Sequence, residues 1–231
     1  MTVMKTVAIL QSNYIPWKGY FDLIAAVDEF VIYDEVQFTK NDWRNRNRIK
    51  TPQGVQWLSI PVGAHIHRRI CEVELPGNQW AERHWRTLVA NYGHAPYFDE
   101  VARWLKPLYV ERGFQRLSEL NVALIKSICE YLGIRTVISD SSQFDYVPGK
   151  IERLVNLCQQ AGATRYLSGP AAKAYLDETV FDAAGIAVDW FDYAGYPPYP
   201  QLWGAFEHPV TILDLLFCCG PTARQYMRYV K

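Results

Sequence analysis

Short apolar runs of strand length alternate with helix-spaced apolar positions over the first 33 residues of the chain. Residues 7–10 and 30–33 read as strands. Between them Trp17, Tyr20, Phe21, Ile24 and Val27 fall on one helical face. A β-α-β unit follows, and the crossover rule makes it parallel and right-handed. Residues 34–54 break the pattern, being too polar for core and too aromatic for a linker. Residues 55–62 and 70–75 alternate like half-exposed strands, with a loop over 63–69 that carries His65 and His67. The middle is helical over 81–92, 97–111 and 117–132, punctuated by Pro96 and Gly113. A strand at 136–138, a helix at 148–162, strands at 165–168 and 186–191 and a helix at 209–217 complete the chain.

This order predicts an α/β fold with a mostly parallel central sheet flanked by helices and an inserted helical middle segment. The expected organisation is one domain over residues 1–231, with a helical subdomain at roughly 78–133. The Ser139–Ser142 stretch is the one mild boundary signal.

Composition narrows the function classes. Apolar residues make up 49% and charged residues 21%, so the chain can build a core and is not disordered. Its 24 basic and 24 acidic residues cancel, which argues against a dedicated nucleic-acid binder. No stretch reaches the roughly 18 apolar residues of a membrane span, and the first seven residues lack the makings of a signal peptide. Five cysteines without a Cys-x-x-Cys pair read as reduced thiols, and a cytoplasmic location is expected.

The segment after the first strand, from Gln11 to Asp22, crowds Gln, Asn, Tyr and Trp into a turn at a strand's carboxyl end. Open α/β sheets bind ligands there, which makes Gln11, Asn13, Tyr14 and Trp17 candidate binding residues. A plain strand-to-helix turn, started by Pro16 and packed close at Gly19, would explain the same segment. Lys40, Arg44, Arg46, Arg48 and Lys50 lie within eleven residues. In an extended segment Arg44, Arg46 and Arg48 would share a face and offer guanidinium forks to a diphosphate or phosphopantetheine. The competing reading is a solvated hairpin balanced by Asp34, Glu35 and Asp42.

Asp34 ends the second strand and is a candidate base, with Gln37 and Lys40 close behind it. His84 is the other candidate base, set beside the aromatic Trp85. Ser168 and Tyr175 follow another strand end, and Tyr199 and Gln201 lie in a polar, aromatic stretch. Asp214 falls inside an apolar run and requires a buried partner, expected to be an arginine or a backbone amide. No metal-ligand spacing and no cofactor motif is present, and none of the cysteines sits where a thiolate is favoured.

Taken together, Gln11-x-Asn13-Tyr14-x-Pro16-Trp17-x-Gly19-Tyr20-Phe21, Asp34-x-x-Gln37-x-x-Lys40, Asn45-Arg46-Asn47-x-Ile49, Trp57-Leu58-x-Ile60-Pro61-Val62, Tyr166-Leu167-Ser168-Gly169 and Tyr199-x-Gln201 resemble the WbqC-like protein family. That family is associated with bacterial surface-polysaccharide gene sets, often beside amino-sugar and carrier-protein genes. The resemblance implies transfer of an acyl or aminoacyl group, from a carrier-protein thioester, to the amine of a nucleotide-linked amino sugar. A non-catalytic protein that binds the carrier or the sugar is the alternative. A fainter likeness links Trp17-Lys18-Gly19-Tyr20 to the His-x-Gly-His turn of nucleotidyltransferases, but both histidines are missing.

Overall fold

The computed structural model describes residues 4–231; residues 1–3, at the head of the segment read for a leader, lie outside the described residues. In chain order the elements are β1 (Thr6–Leu10), α1 (Lys18–Ala25), β2 (Glu29–Ile32), β3 (Arg46–Thr51) and β4 (Gly54–Ser59). They continue with α2 (Gln79–Tyr92), α3 (Phe98–Lys106), α4 (Leu117–Leu132), β5 (Val137–Asp140) and α5 (Lys150–Gln160). The last elements are β6 (Arg165–Ser168), α6 (Glu178–Ala183), β7 (Ala187–Trp190) and α7 (Ile212–Cys219).

Five strands form one parallel sheet in the order β5-β2-β1-β6-β7. A parallel sheet covered on both faces needs strands that are apolar nearly all along, and β1 and β2 are so beyond their first residues, Thr6 and Glu29. Ala8, Phe30 and Ile32 look into a large core that also takes in α1, α2, α3, α4 and α7. Val7, Ile9 and Val31 look the other way, onto Leu154, Cys158 and Phe181. The chain leaves β1 first toward β2 and later returns to β6 on its other side, so the sheet reverses direction between β1 and β6. Crevices of this kind, outside the carboxyl ends of the strands, are where doubly wound sheets hold ligands.

Two local expectations need correction, and for the Arg-rich segment the hairpin reading is the one observed. The Arg-rich segment enters an antiparallel hairpin, β3 with β4, that stands apart from the main sheet. Residues 70–75 are not a strand: Ile70–Glu72 make a tight turn that runs into a single bridge between Glu74 and Arg116. The turn is fixed from outside, because the amide of Cys71 donates to the Asp34 carbonyl at 3.0 Å. The helix expected over 97–111 widens into a π turn from Pro107, which has no amide to continue the ladder.

The turn between β1 and α1 is strained and clamped. Ile15 is fully buried with φ of 37°, a backbone setting that β-branched residues rarely adopt. Asn47 donates from Nδ2 to the carbonyls of Tyr14 and Ile15 at 3.0 and 2.9 Å. Thr211 Oγ1 adds a third hold on the turn, the second on the Ile15 carbonyl, at 2.7 Å. Close packing at Gly19 has a definite neighbour, since a Cβ there would fall 2.3 Å from the Trp17 ring.

Candidate functional site

A cleft of about 640 Å³ opens where the sheet reverses, at the carboxyl ends of β1 and β6. It brings together Gln11, Gln37, Arg44, Ser168 and Tyr175 from the sequence-derived candidates, with Tyr33, Thr39, Asp42 and Lys150 beside them. Ser168 is buried at the end of β6, whereas Tyr175 is about half exposed on the turn that follows. Lys150 opens α5, and its Nζ lies 3.4 Å from the centre of the Tyr175 ring. Such a cation held over an aromatic face is ready for an anion on its open side.

Arg44 is the best-positioned charge. Its guanidinium donates to Gln11 Oε1 at 3.1 Å and to Asn13 Oδ1, and Asp42 Oδ2 stands 3.8 Å away. The backbone is held too, because Asn121 Nδ2 donates to the Arg44 carbonyl at 2.9 Å. Burial pushes the Asp42 carboxyl up. Hydrogen bonds from Thr39 and the Trp43 amide, with the charge of Arg44, outweigh it and hold the group below the usual carboxylate range. The cleft therefore carries two cations and one ionised carboxylate among rings and amides.

The other candidates lie elsewhere. Asn13 and Trp17 line a separate pocket of about 220 Å³ with Pro16, Trp43, Asn47 and Pro209. Arg46 sits on the outer face of the hairpin with its guanidinium 4.2 Å from the Trp57 ring centre, and Lys40 is exposed outside both cavities. The common face expected for Arg44, Arg46 and Arg48 is broken because β3 begins at Arg46 and Arg44 belongs to the preceding turn.

Tyr14, His84 and Asp34 are buried groups away from the cleft wall. Tyr14 Oη lies 2.8 Å from His84 Nδ1, and the hydroxyl of Tyr109 meets both. Burial pushes His84 down to about 4, against its hydrogen bond to the Ser59 backbone, so the ring is neutral at pH 7. Asp34 accepts from the Ser12 amide at 2.8 Å, from Ser12 Oγ at 2.6 Å and from Ser118 Oγ. Burial pushes its carboxyl up against these bonds. Both groups tie the β1 and β2 ends to the helical segment, which gives each a positioning role and no open face toward the cleft.

Tyr199 and Gln201 belong to a buried network around Asp214. Tyr199, Tyr92 and Gln201 donate to that carboxylate at 2.8, 2.8 and 2.9 Å, and Lys50 Nζ donates to Gln201 Oε1 at 2.8 Å. The partners of Asp214 are thus two phenols and an amide side chain, not the arginine or backbone amide expected. The same segment folds over Lys18, whose Nζ donates to the Pro197 carbonyl at 3.0 Å and lies 4.9 Å from the Tyr199 ring centre.

A family model described as the WbqC-like protein family matches residues 11–226. The chain belongs to the WbqC-like protein family. It is 56% identical over 230 residues to a protein of Mycobacterium tuberculosis (strain ATCC 25618 / H37Rv), uncharacterized protein Rv1507c, with 99% of this chain and 100% of that one covered. No solved structure matches the chain. In this WbqC-like protein, no described helix is long and apolar enough to cross a membrane, and the described residues hold no group of three or more His, Cys, Asp or Glu set to bind a metal ion.

Two cleft residues had signals that sequence reasoning passed over. Tyr33 closes the second apolar run, at the same kind of strand end that drew attention to Gln11. Lys150 follows Gly149 at the start of the helix after the third sheet strand, where it reads as an ordinary helix residue. Asp42 reads in the sequence only as a countercharge to the arginines.

Proposed function

We propose that this protein transfers an acyl or aminoacyl group from a thioester donor to the amine of a nucleotide-linked amino sugar. The observation that carries this reading is the cleft at the sheet reversal, which joins two cations, an ionised carboxylate and two phenol rings. Arg44 and Lys150 suit the diphosphate, since a guanidinium fork and an ammonium both bind phosphate oxygens. Tyr33 and Tyr175 offer faces for a base or a sugar ring. Asp42 accepts an N–H of the sugar amine and aims its lone pair at the thioester carbon.

The step balances without His84 or Asp34. The amine nitrogen forms the new C–N bond, the C–S bond breaks, and the proton shed by nitrogen ends on the departing thiolate. Most of the rate gain in such a scheme comes from holding the two reactants in line, which suits a site rich in binding groups. The buried setting of both candidate bases favours this version of the reaction over one driven by a general base.

Calorimetric titration with UDP-glucosamine, followed by mass spectrometry of mixtures with acetyl and glycyl thioesters, tests the reading. Binding together with an amide product upholds it. Binding without any product would make the protein a sugar-binding component, and product formation only with ATP and magnesium would make it a nucleotidyltransferase. Lys150→Ala should weaken UDP-glucosamine binding about tenfold, worth roughly 1.4 kcal/mol. Its melting temperature should stay near that of the parent, because Lys150 is exposed. Unchanged affinity would remove Lys150 from the site.

A further inference from the structure

The turn from Asn41 to Arg48 is walled by cavities on more than one side. Asp42 and Arg44 face the large cleft, Trp43 and Asn47 face the 220 Å³ pocket, and Trp43 is also shared with a shallow hollow over the hairpin. That hollow, of about 300 Å³, is lined by Asn41, Trp43, Arg46, Arg48 and Trp57. Its two indoles stand 5.4 Å apart and are 40% and 42% exposed, a costly display of aromatic surface. Arg48 lies 5.7 and 5.6 Å from the Trp43 and Trp57 rings, and Arg46 stacks on Trp57.

These guanidinium groups are underused. Neither Arg46 nor Arg48 forms an ion pair among the described residues, and the Nε of each is buried without a hydrogen-bond partner. Arg44, two residues before Arg46 and four before Arg48, is by contrast engaged by Gln11 and Asn13. Two forks with spare donors over an aromatic floor match a phosphate ester.

The neighbouring pocket says what the phosphate is attached to. At about 220 Å³ it exceeds the ~150 Å³ that holds a benzene yet is too small for a nucleotide. Its walls are two indoles and two prolines, with Asn13 and Asn47 completing the lining; the Asn47 amide is already committed to the backbone of Tyr14, Ile15 and Arg48. It is also a built feature, since the strained Ile15 turn that presents Asn13 and Pro16 is fixed by Asn47 and Thr211. Strain of this kind persists where the surroundings enforce it and gathers at ligand sites.

We propose that the hollow and the pocket together form a second ligand site, for a phosphopantetheine arm. Arg46 and Arg48 take the phosphate, the arm crosses Trp43 and Trp57, and its amide-bearing, thiol end enters the pocket beside Asn13 and Asn47. The proposal rests on the transferase reading and deepens it by giving the thioester donor a seat of its own. Arg44, bonded to Gln11 of the cleft and Asn13 of the pocket, spans the partition between donor and acceptor.

Titration of 4′-phosphopantetheine, pantetheine and ADP, read by calorimetry and tryptophan fluorescence, tests it. Phosphopantetheine should bind at least tenfold more tightly than pantetheine or ADP. Arg48→Ala should weaken it at least tenfold, Arg46→Ala giving the same reading should the first variant fold poorly, and Lys150→Ala should leave it unchanged. Absence of binding, equal affinity for ADP, or indifference to both arginine variants overturns the site. Coenzyme A and a phosphopantetheinylated carrier protein, titrated in parallel, tell a free arm from a carried one. Loss of phosphopantetheine binding with UDP-glucosamine still bound defeats this site alone. The reverse result defeats the nucleotide-sugar reading and leaves this site standing.

Discussion

Replacing Asp214 by alanine should lower the free energy of unfolding by about 3 kcal/mol, the scale on which buried charge networks lose stability when one member is removed. Asp214 is inaccessible to solvent on α7 and accepts from Tyr92, Tyr199 and Gln201. Without it two phenols and an amide lose their acceptor in a place water does not reach. Each such unsatisfied donor costs about 1–3 kcal/mol, and the Lys50 ammonium loses a countercharge. Asp214→Asn keeps one acceptor oxygen and should cost less than half as much. Urea denaturation of the three proteins, compared at one pH, measures this. A loss under 1 kcal/mol for the alanine variant would show that the network is decorative.

His84 should make the protein sensitive to mild acid. Burial lowers its pKa from 6.5 to about 4, so the folded state keeps the ring neutral where the unfolded chain protonates it. A pKa depressed in the fold means that stability is intact above 6.5 and falls as the pH drops toward 4. At about 1.4 kcal/mol per pH unit, the loss approaches 3 kcal/mol. The raised carboxyls of Asp34 and Asp214 act in the opposite sense. A carboxyl raised in the fold adds stability below its unfolded pKa and gives it up as the pH climbs through the folded one. Comparison with His84→Gln isolates the histidine. The variant's stability should fall less steeply between pH 6.5 and 4, and identical slopes would mean that the ring is protonated in the folded protein.

The sheet was legible because its strands are short apolar runs bounded by polar residues, and the cleft lies at the strand ends that this order predicts. Gln11, Ser168 and Tyr175, read as strand-end residues, line it. What misled was polarity in the wrong context. Tyr199 and Gln201 look like ligand contacts, yet they serve Asp214 and Lys50 across sequence separations of 13 to 151 residues. A single chain carries no signal that such distant groups meet. The arginine pattern failed for a local reason: alternation holds only within a strand, and the turn before β3, where the Asn45 amide reaches the Asp42 carbonyl, sends Arg44 inward. Residues 70–75 alternate like a strand, but the Asp34 carbonyl captures the Cys71 amide before a ladder can form.

The clamped turn after β1 also dictates when this protein becomes competent. One of its restraints comes from Asn47, 32 residues downstream of Ile15, and another from Thr211, separated by 196 residues. Closing loops of that span is slow relative to local pairing, so the first β-α-β unit assembles before anything holds its turn in shape. A nascent chain emerging from the ribosome could gain the Asn47 clamp once the β3–β4 hairpin has formed, but would lack the Thr211 restraint until nearly all of it had been made. The full set of restraints on that corner is therefore a property of the finished chain, complete only when Thr211, at the head of α7, reaches the Ile15 carbonyl.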